Sequence, residues 1–313
     1  MSTQAIHHSA LQEVEAIWFD KTLLVIALLL LAIGLIMVSS ASISYADSAQ
    51  YDYQRFHFVI RHGIYILLAL VAALLTLNIT TDQWQKLGPY LLISGIALLI
   101  LVLFIGREVN GSKRWLDLVL FTVQVSEPVK IFVVSYLAGY LVRQRDDLQT
   151  QIIGFWRPIA VLILVTACLL LEPDFGASVV IVVTTLGMMF LAGAQLWKFI
   201  ALSGAFSGLV AIGALTTTYR LDRLKSFLDP WQDPYNTGYQ LVNSLIAFGR
   251  GELWGLGLGN SIQKLDYLPE AHTDFVFAVL AEEMGFAGVV TVIALYGFLI
   301  TKIMNIGKKA IDV

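Results

Sequence analysis

Eight runs of apolar residues punctuate the chain, near positions 22 to 41, 58 to 77, 87 to 105, 127 to 142, 158 to 173, 177 to 194, 197 to 215 and 275 to 300. A helix needs roughly 20 apolar residues to cross about 30 Å of hydrocarbon. Inside a bilayer only a helix or a closed barrel satisfies its own backbone. The pattern therefore predicts an all-α polytopic membrane protein with about eight transmembrane helices. The fourth and fifth runs are short for a full crossing. Only EPDFG, residues 172 to 176, separates the fifth from the sixth, so a tilt or break is expected at that turn. The first run opens at about Thr22 without a strongly basic leader and reads as a retained spanning helix rather than a cleaved signal.

Roughly 60 residues, 216 to 274, stand between the last two runs. Segments of that length are usually functional or disordered. Trp231, Tyr235, Tyr239, Phe248, Trp254 and Tyr267, set among glycines and prolines, are a poor composition for disorder. A folded cap of short helices is expected there, with Asp274 at the mouth of the eighth helix and Thr273 as its N-cap. Lys and Arg in the short loops fix the orientation. With the N-terminus inside, Lys21, Lys86, Arg143, Arg145, Arg157, Lys198, Lys302, Lys308 and Lys309 fall inside, against Arg55, Arg61, Arg107, Lys113 and Arg114 outside. The expected layout is a cytoplasmic 1–21, seven helices over 22–215, a large outer (periplasmic) loop over 216–274, an eighth helix over 275–300 and a cytoplasmic end over 301–313.

Composition agrees with a bilayer environment: 58% hydrophobic residues, 14% charged residues and a mean hydropathy of +0.76. A net charge of -3 without a basic stripe argues against a nucleic-acid partner. The single cysteine, Cys168, lies in an apolar run and reads as packing. His7, His8, His57, His62 and His272 lack zinc-site spacing. The glycine-rich GRGELWGLGLGN at 249–260 has neither the flanking strand of a dinucleotide fingerprint nor the Lys-Ser/Thr of a P-loop.

Against this apolar background the polar groups stand out, because an ionised acid at mid-bilayer costs roughly 2.5–3.5 kcal/mol and needs a partner or a wet cavity. HTD, residues 272–274, opens the eighth run, and Glu282 and Glu283 lie two turns deeper, where they are expected to face other helices. Asp274 reads either as a base for a hydroxyl substrate or as a favourable acid at a helix start. In NGSKRWLDL, Arg114 and Lys113 can meet anionic groups while Trp115 packs on a sugar, or the pair is an interface anchor. QVSEPVK offers Ser126 as N-cap, with Glu127 and Lys130 on one helical face, as a structural ion pair or as part of a wet cavity. Asp174 of EPDFG either caps the sixth helix or faces an outer cavity. Arg220, Arg223 and Lys225 suit a pyrophosphate or snorkel to lipid phosphates.

The stretch from Phe227 to Gly285, FLDPWQDPYNTGYQ through LPEAHTDFVFAVLAEEMG, strongly resembles the outer loop and following helix of the SEDS family, in particular its division-type FtsW branch. NGSKRW, SEPVK, EPDFG and the early FDKTLL extend the resemblance over the chain from about Phe19. It implies a peptidoglycan glycosyltransferase, an inverting enzyme that polymerises lipid II at the outer face of the bacterial inner membrane, at the division septum. It also implies that Asp274 is the essential acid and that Trp115, Glu127, Lys130 and Asp174 belong to the site. Arg114, Arg220, Arg223 and His272 are added as substrate-binding residues. The family ordinarily has ten spans and this chain carries eight runs, so a C-terminally shortened form is expected.

The implied partners are lipid II, a class B penicillin-binding transpeptidase and other divisome proteins. No cofactor is certain; a divalent cation, Mg or Mn, to screen the pyrophosphate is the one considered, and no ligand set marks it. Two other readings remain open at this point: a lipid II flippase or transporter, drawing on intramembrane charges such as Lys130 and Glu283, and a catalytically inert division scaffold.

Overall fold

The computed structural model describes residues 20–46, 56–109, 112–118, 121–215, 218–265 and 267–311. Helices α1 (Lys21–Ala46), α2 (His57–Leu77), α3 (Thr81–Ile105), α4 (Ser126–Arg143), α6 (Ile152–Leu171), α7 (Phe175–Leu191), α8 (Leu196–Leu215) and α11 (Val276–Ile311) coincide with the eight apolar runs. Between them come short α5 (Arg145–Thr150), α9 (Thr218–Leu228), a 3-10 turn at Pro230–Gln232 and α10 (Tyr239–Gly251). Residues 21–42, 57–77, 81–105, 153–171 and 276–310 are long and apolar enough to cross a membrane, and Phe175–Leu191 is apolar but shorter. The protein is a multipass membrane protein of the helical type.

The chain forms two compact units, one from residues 1–72 with 217–313 and one from 73–216. In the second unit the apolar seam of α3 (Leu92, Leu99, Val102) meets Val129, Val133 and Leu137 of α4, with Leu169 of α6 and Ile181 of α7 completing the core. Cys168 is buried within it, as its apolar run predicted. α3 begins six residues before its apolar run. Thr80 and Gln83 close a capping box there, Gln83 N donating to Thr80 Oγ1 at 3.3 Å and Thr80 N to Gln83 Oε1 at 2.9 Å.

The helical fold also carries one small sheet. Residues after α3 form a three-stranded antiparallel sheet, β1 (Arg107–Val109), β2 (Ser112–Leu118) and β3 (Phe121–Gln124), with Trp115 opposite Gln124 and Leu116 opposite Val123. Its strands are too short to register beside 20-residue apolar runs, but the Asn-Gly pair at 110–111 is a strong hairpin signal.

In the first unit, Met37 and Ala41 of α1 pack with Ala247 of α10, Leu268 and Ala271 of the connecting turns, and Ala278, Val279, Val289 and Val292 of α11. α2 is apolar and buries none of its residues, the condition of a helix bathed in lipid. Gly285 interrupts α11 with φ 65° and ψ −167°, a conformation essentially reserved for glycine. The peptide groups freed there are satisfied by the chain just after α10. Leu256 N and Gly257 N donate to the carbonyls of Glu282 and Glu283, each at 3.0 Å. Phe286 N and Ala287 N donate to the carbonyls of Glu252 and Leu253. Two glycines of 249–260 thus serve close backbone approach: a Cβ on Gly251 would collide with the Ala281 carbonyl and one on Gly255 with the Glu283 carbonyl.

Candidate functional site

The acids of the eighth run separate into two environments. Glu282 and Glu283 are fully buried. Lys264 Nζ, itself buried, donates to Glu283 Oε1 at 2.7 Å and to Ser40 Oγ at 3.0 Å, while Ser40 Oγ donates to Glu283. Glu282 Oε2 accepts from Ser261 Oγ and, at 3.1 Å, from Gln263 N. Arg250 Nε lies 3.3 Å from Glu282 Oε1, an ion pair without hydrogen-bond alignment. The two glutamates do face other elements, α1 and α10 among them. Sequence reasoning missed Lys264 and Arg250, the cations that offset their burial. The signal available was electrostatic need alone: two buried carboxylates require cations, but the sequence does not say which ones.

Asp274 is exposed and forms no side-chain hydrogen bond or ion pair among the described residues. The N-cap expected at Thr273 is corrected. Thr273 N and Phe275 N both donate to the Glu270 carbonyl, holding 270–275 as a turn, so α11 begins only at Val276. The Thr273 hydroxyl is spent on Glu270 Oε2, at 2.7 Å. His272 is half-buried, its ring 5.0 Å from that of Phe58 between centroids. Loss of hydration holds its pKa below the usual 6.5, with Glu270 pulling the other way. Arg220 and Arg223 lie on α9, in the same unit as Asp274.

The other predicted residues belong to the second unit, where the structure gathers several of them. Asp174 is buried: its Oδ1 accepts from Ala177 N at 3.1 Å, capping α7, and its Oδ2 accepts from Ser126 Oγ at 3.0 Å and Gln124 Nε2 at 3.1 Å. The structure therefore places Asp174 as a cap and a strut rather than as a carboxylate facing a cavity. Ser126 is corrected as well. Val125 is the N-cap position of α4, without a side-chain cap, because the Ser126 hydroxyl serves Asp174. Arg114 Nη2 donates to Ser112 Oγ at 2.6 Å, and Trp115 next to it is partly exposed. Glu172 is buried with both carboxylate oxygens lacking a hydrogen-bond partner. Lys130 pairs with Glu127 at 2.9 Å, the three-residue spacing meeting on one helical face as expected. Among the described residues no three His, Cys, Asp or Glu side chains gather as metal ligands.

Apolar helices closed by polar ends, several of them long and apolar enough to cross a bilayer, define a multipass membrane protein. The family model for FtsW, RodA and SpoVE, described as "Cell cycle protein", matches residues 20–313, and the chain belongs to that family. A relative from Pseudoalteromonas atlantica, named "Probable peptidoglycan glycosyltransferase FtsW", is 52% identical over 296 residues, covering 94% of this chain and 60% of its own length. An identically named relative from Escherichia coli O157:H7 is 46% identical over 297 residues, covering 95% and 71%. The chain thus spans about three fifths of the length of the first relatives it matches. Among solved structures, a chain from work on "structural coordination of polymerization and crosslinking by a peptidoglycan synthase complex" aligns with TM-score 0.70 at 26% identity, covering 91% of this chain and 76% of that one. The rod shape determining protein RodA of Thermus thermophilus shares the fold, with TM-score 0.62 at 23% identity over 91% and 73%.

Proposed function

We propose that this protein is a peptidoglycan glycosyltransferase that polymerises lipid II into β-1,4 glycan for septal wall synthesis. The names of its relatives support the activity, and the observation that carries the mechanism is the exposed, unpartnered carboxylate of Asp274. In this mechanism Asp274 takes the proton from the acceptor's 4-hydroxyl as that oxygen attacks the donor's anomeric carbon. The new C1–O4 bond forms as the C1–pyrophosphate bond breaks, and polyprenyl pyrophosphate leaves towards Arg220 and Arg223. The donor is α-linked and the product β-linked, so a single displacement with one base inverts the centre without a covalent intermediate. His272, held neutral, lines the approach beside Asp274. In the second unit, Trp115, Glu127, Lys130 and Asp174, with Arg114 added, are kept as substrate-binding residues, as the resemblance to the family implies. Among the described residues no ligand set fits a divalent cation, and no step above uses one.

The charges that would serve a flippase are already neutralised, Glu283 by Lys264 and Lys130 by Glu127, which favours polymerisation over transport. The proposed setting is the bacterial inner membrane with both termini cytoplasmic, beside a class B transpeptidase; the related complex that joins polymerization and crosslinking supports that partner. Incubating the purified chain in vesicles with lipid II tests the activity. The expected product is a glycan ladder that a β-1,4-specific muramidase digests; a chain that leaves lipid II unchanged overturns the reading.

A further inference from the structure

Two polar contacts tie α1 to α11 within the first unit. Lys302 Nζ meets Asp20 Oδ2 at 3.1 Å, and Ser40 Oγ meets Glu283 at 2.7 and 2.9 Å. Twenty residue steps separate Asp20 from Ser40 and nineteen separate Glu283 from Lys302. At about 1.5 Å per residue these are lengths of about 30 and 28 Å, the thickness of a bilayer's hydrocarbon core. Apart from Lys21, at the very start of α1, no charged residue lies between the contacts on either helix. Apart from the hydroxyls of Thr22, Thr291 and Thr301, the exposed side chains there are largely apolar, including Leu28 and Leu29 on α1 and Val290 and Ile293 on α11. The two contacts are thus spaced as the two faces of the hydrocarbon would be, with Glu283 at one of them.

The turn that follows α10 is bonded at that same height, through the four backbone hydrogen bonds that bracket Gly285. From Leu253 to Asn260 it carries no charge. Leu253 is 63% exposed, Trp254 82%, Leu256 41% and Leu258 58%. This apolar patch runs on into exposed Phe286 and Val290 of α11. Tryptophan with leucines at the end of a span has the composition of a membrane-interface anchor.

We propose that the Leu253–Leu258 turn is a wedge seated in the headgroup–acyl boundary of the bilayer at the Glu283 end of the span, with Trp254 as its anchor. The wedge is bonded on both sides of the Gly285 break, so it sets the height of α11 and leaves Asp274 on the water side. The inference does not depend on the glycosyltransferase reading.

Replacing the lone Cys168 by Ala gives a cysteine-free background. Trp254→Cys, Leu256→Cys and Leu258→Cys, each spin-labelled in phosphatidylethanolamine–phosphatidylglycerol vesicles, report depth through power saturation by oxygen and by a water-soluble nickel chelate. Ile293→Cys serves as the lipid reference and Gln232→Cys as the aqueous one. Oxygen contact several-fold above nickel contact at the three turn positions is expected. Nickel contact at the Gln232 level overturns the proposal, and so does shielding from both reagents, which would put protein over the turn. As a second measurement, Trp254→Phe should remove a share of the tryptophan emission that brominated lipids quench; an unchanged quenched fraction overturns it too.

Discussion

Asp274 and Glu283 lie nine positions apart in one run, yet their surroundings are opposite. The Glu283 side chain is buried and tied to Lys264 and Ser40, whereas Asp274 is exposed, with no side-chain hydrogen bond or ion pair among the described residues. A carboxylate that has exchanged water for a cation and a hydroxyl cannot readily take up a proton without losing both contacts. One left in water with open lone pairs can accept a proton from an incoming hydroxyl. Within one stretch, then, the structure separates buried, bonded acids from the exposed one that the proposed mechanism uses.

The comparison is broken most severely from the buried side. Glu283→Leu strands Lys264 and should destabilise the protein by about 3–5 kcal/mol. The double variant Lys264→Met, Glu283→Leu should recover most of that, as read from unfolding midpoints in detergent. A double variant no more stable than the single one would refute the pairing. Asp174→Ala asks whether the second unit uses a buried acid in the same way. Loss of the α7 cap and orphaning of Ser126 and Gln124 should cost about 2–3 kcal/mol, measured the same way. Gly285→Ala puts a Cβ in a glycine-only conformation against the backbone of Trp254 and Gly255, and a loss of about 1–3 kcal/mol is expected.

The smallest effect concerns pH and His272. Its folded pKa lies below the usual 6.5, so the unfolded chain takes up a proton first as pH falls. The stabilisation is complete above about pH 6.5 and is lost as pH drops towards the folded value. His272→Gln should flatten that acid limb of the midpoint-against-pH curve; an unchanged limb would assign it to another group.

The helices were legible because a bilayer demands long apolar runs, and each run marks a helix, though the helices outrun them at polar ends, by six residues at Thr81 and by eleven at Ile311. The Glu127–Lys130 pair was legible because three-residue spacing fixes helical neighbours. What escaped were contacts between distant segments. Nothing near Lys264 in the chain says that its ammonium reaches Glu283, nor does QVSEP reveal that Ser126 gives up its cap position to serve Asp174. The sheet escaped because alternation over four to seven residues is faint beside such hydrophobic runs. At Asp274 the position was legible but the exposure was not, since burial depends on where the turn at 270–275 releases the chain into α11.

The most direct test of the central claim compares Asp274→Asn with the parent protein in the same vesicles, measuring lipid II polymerisation rate and unfolding midpoint together. The account predicts a rate lower by about 10²- to 10⁴-fold with an unchanged midpoint. A parent-level rate in the Asn variant, or a rate loss that merely follows a fallen midpoint, would contradict it.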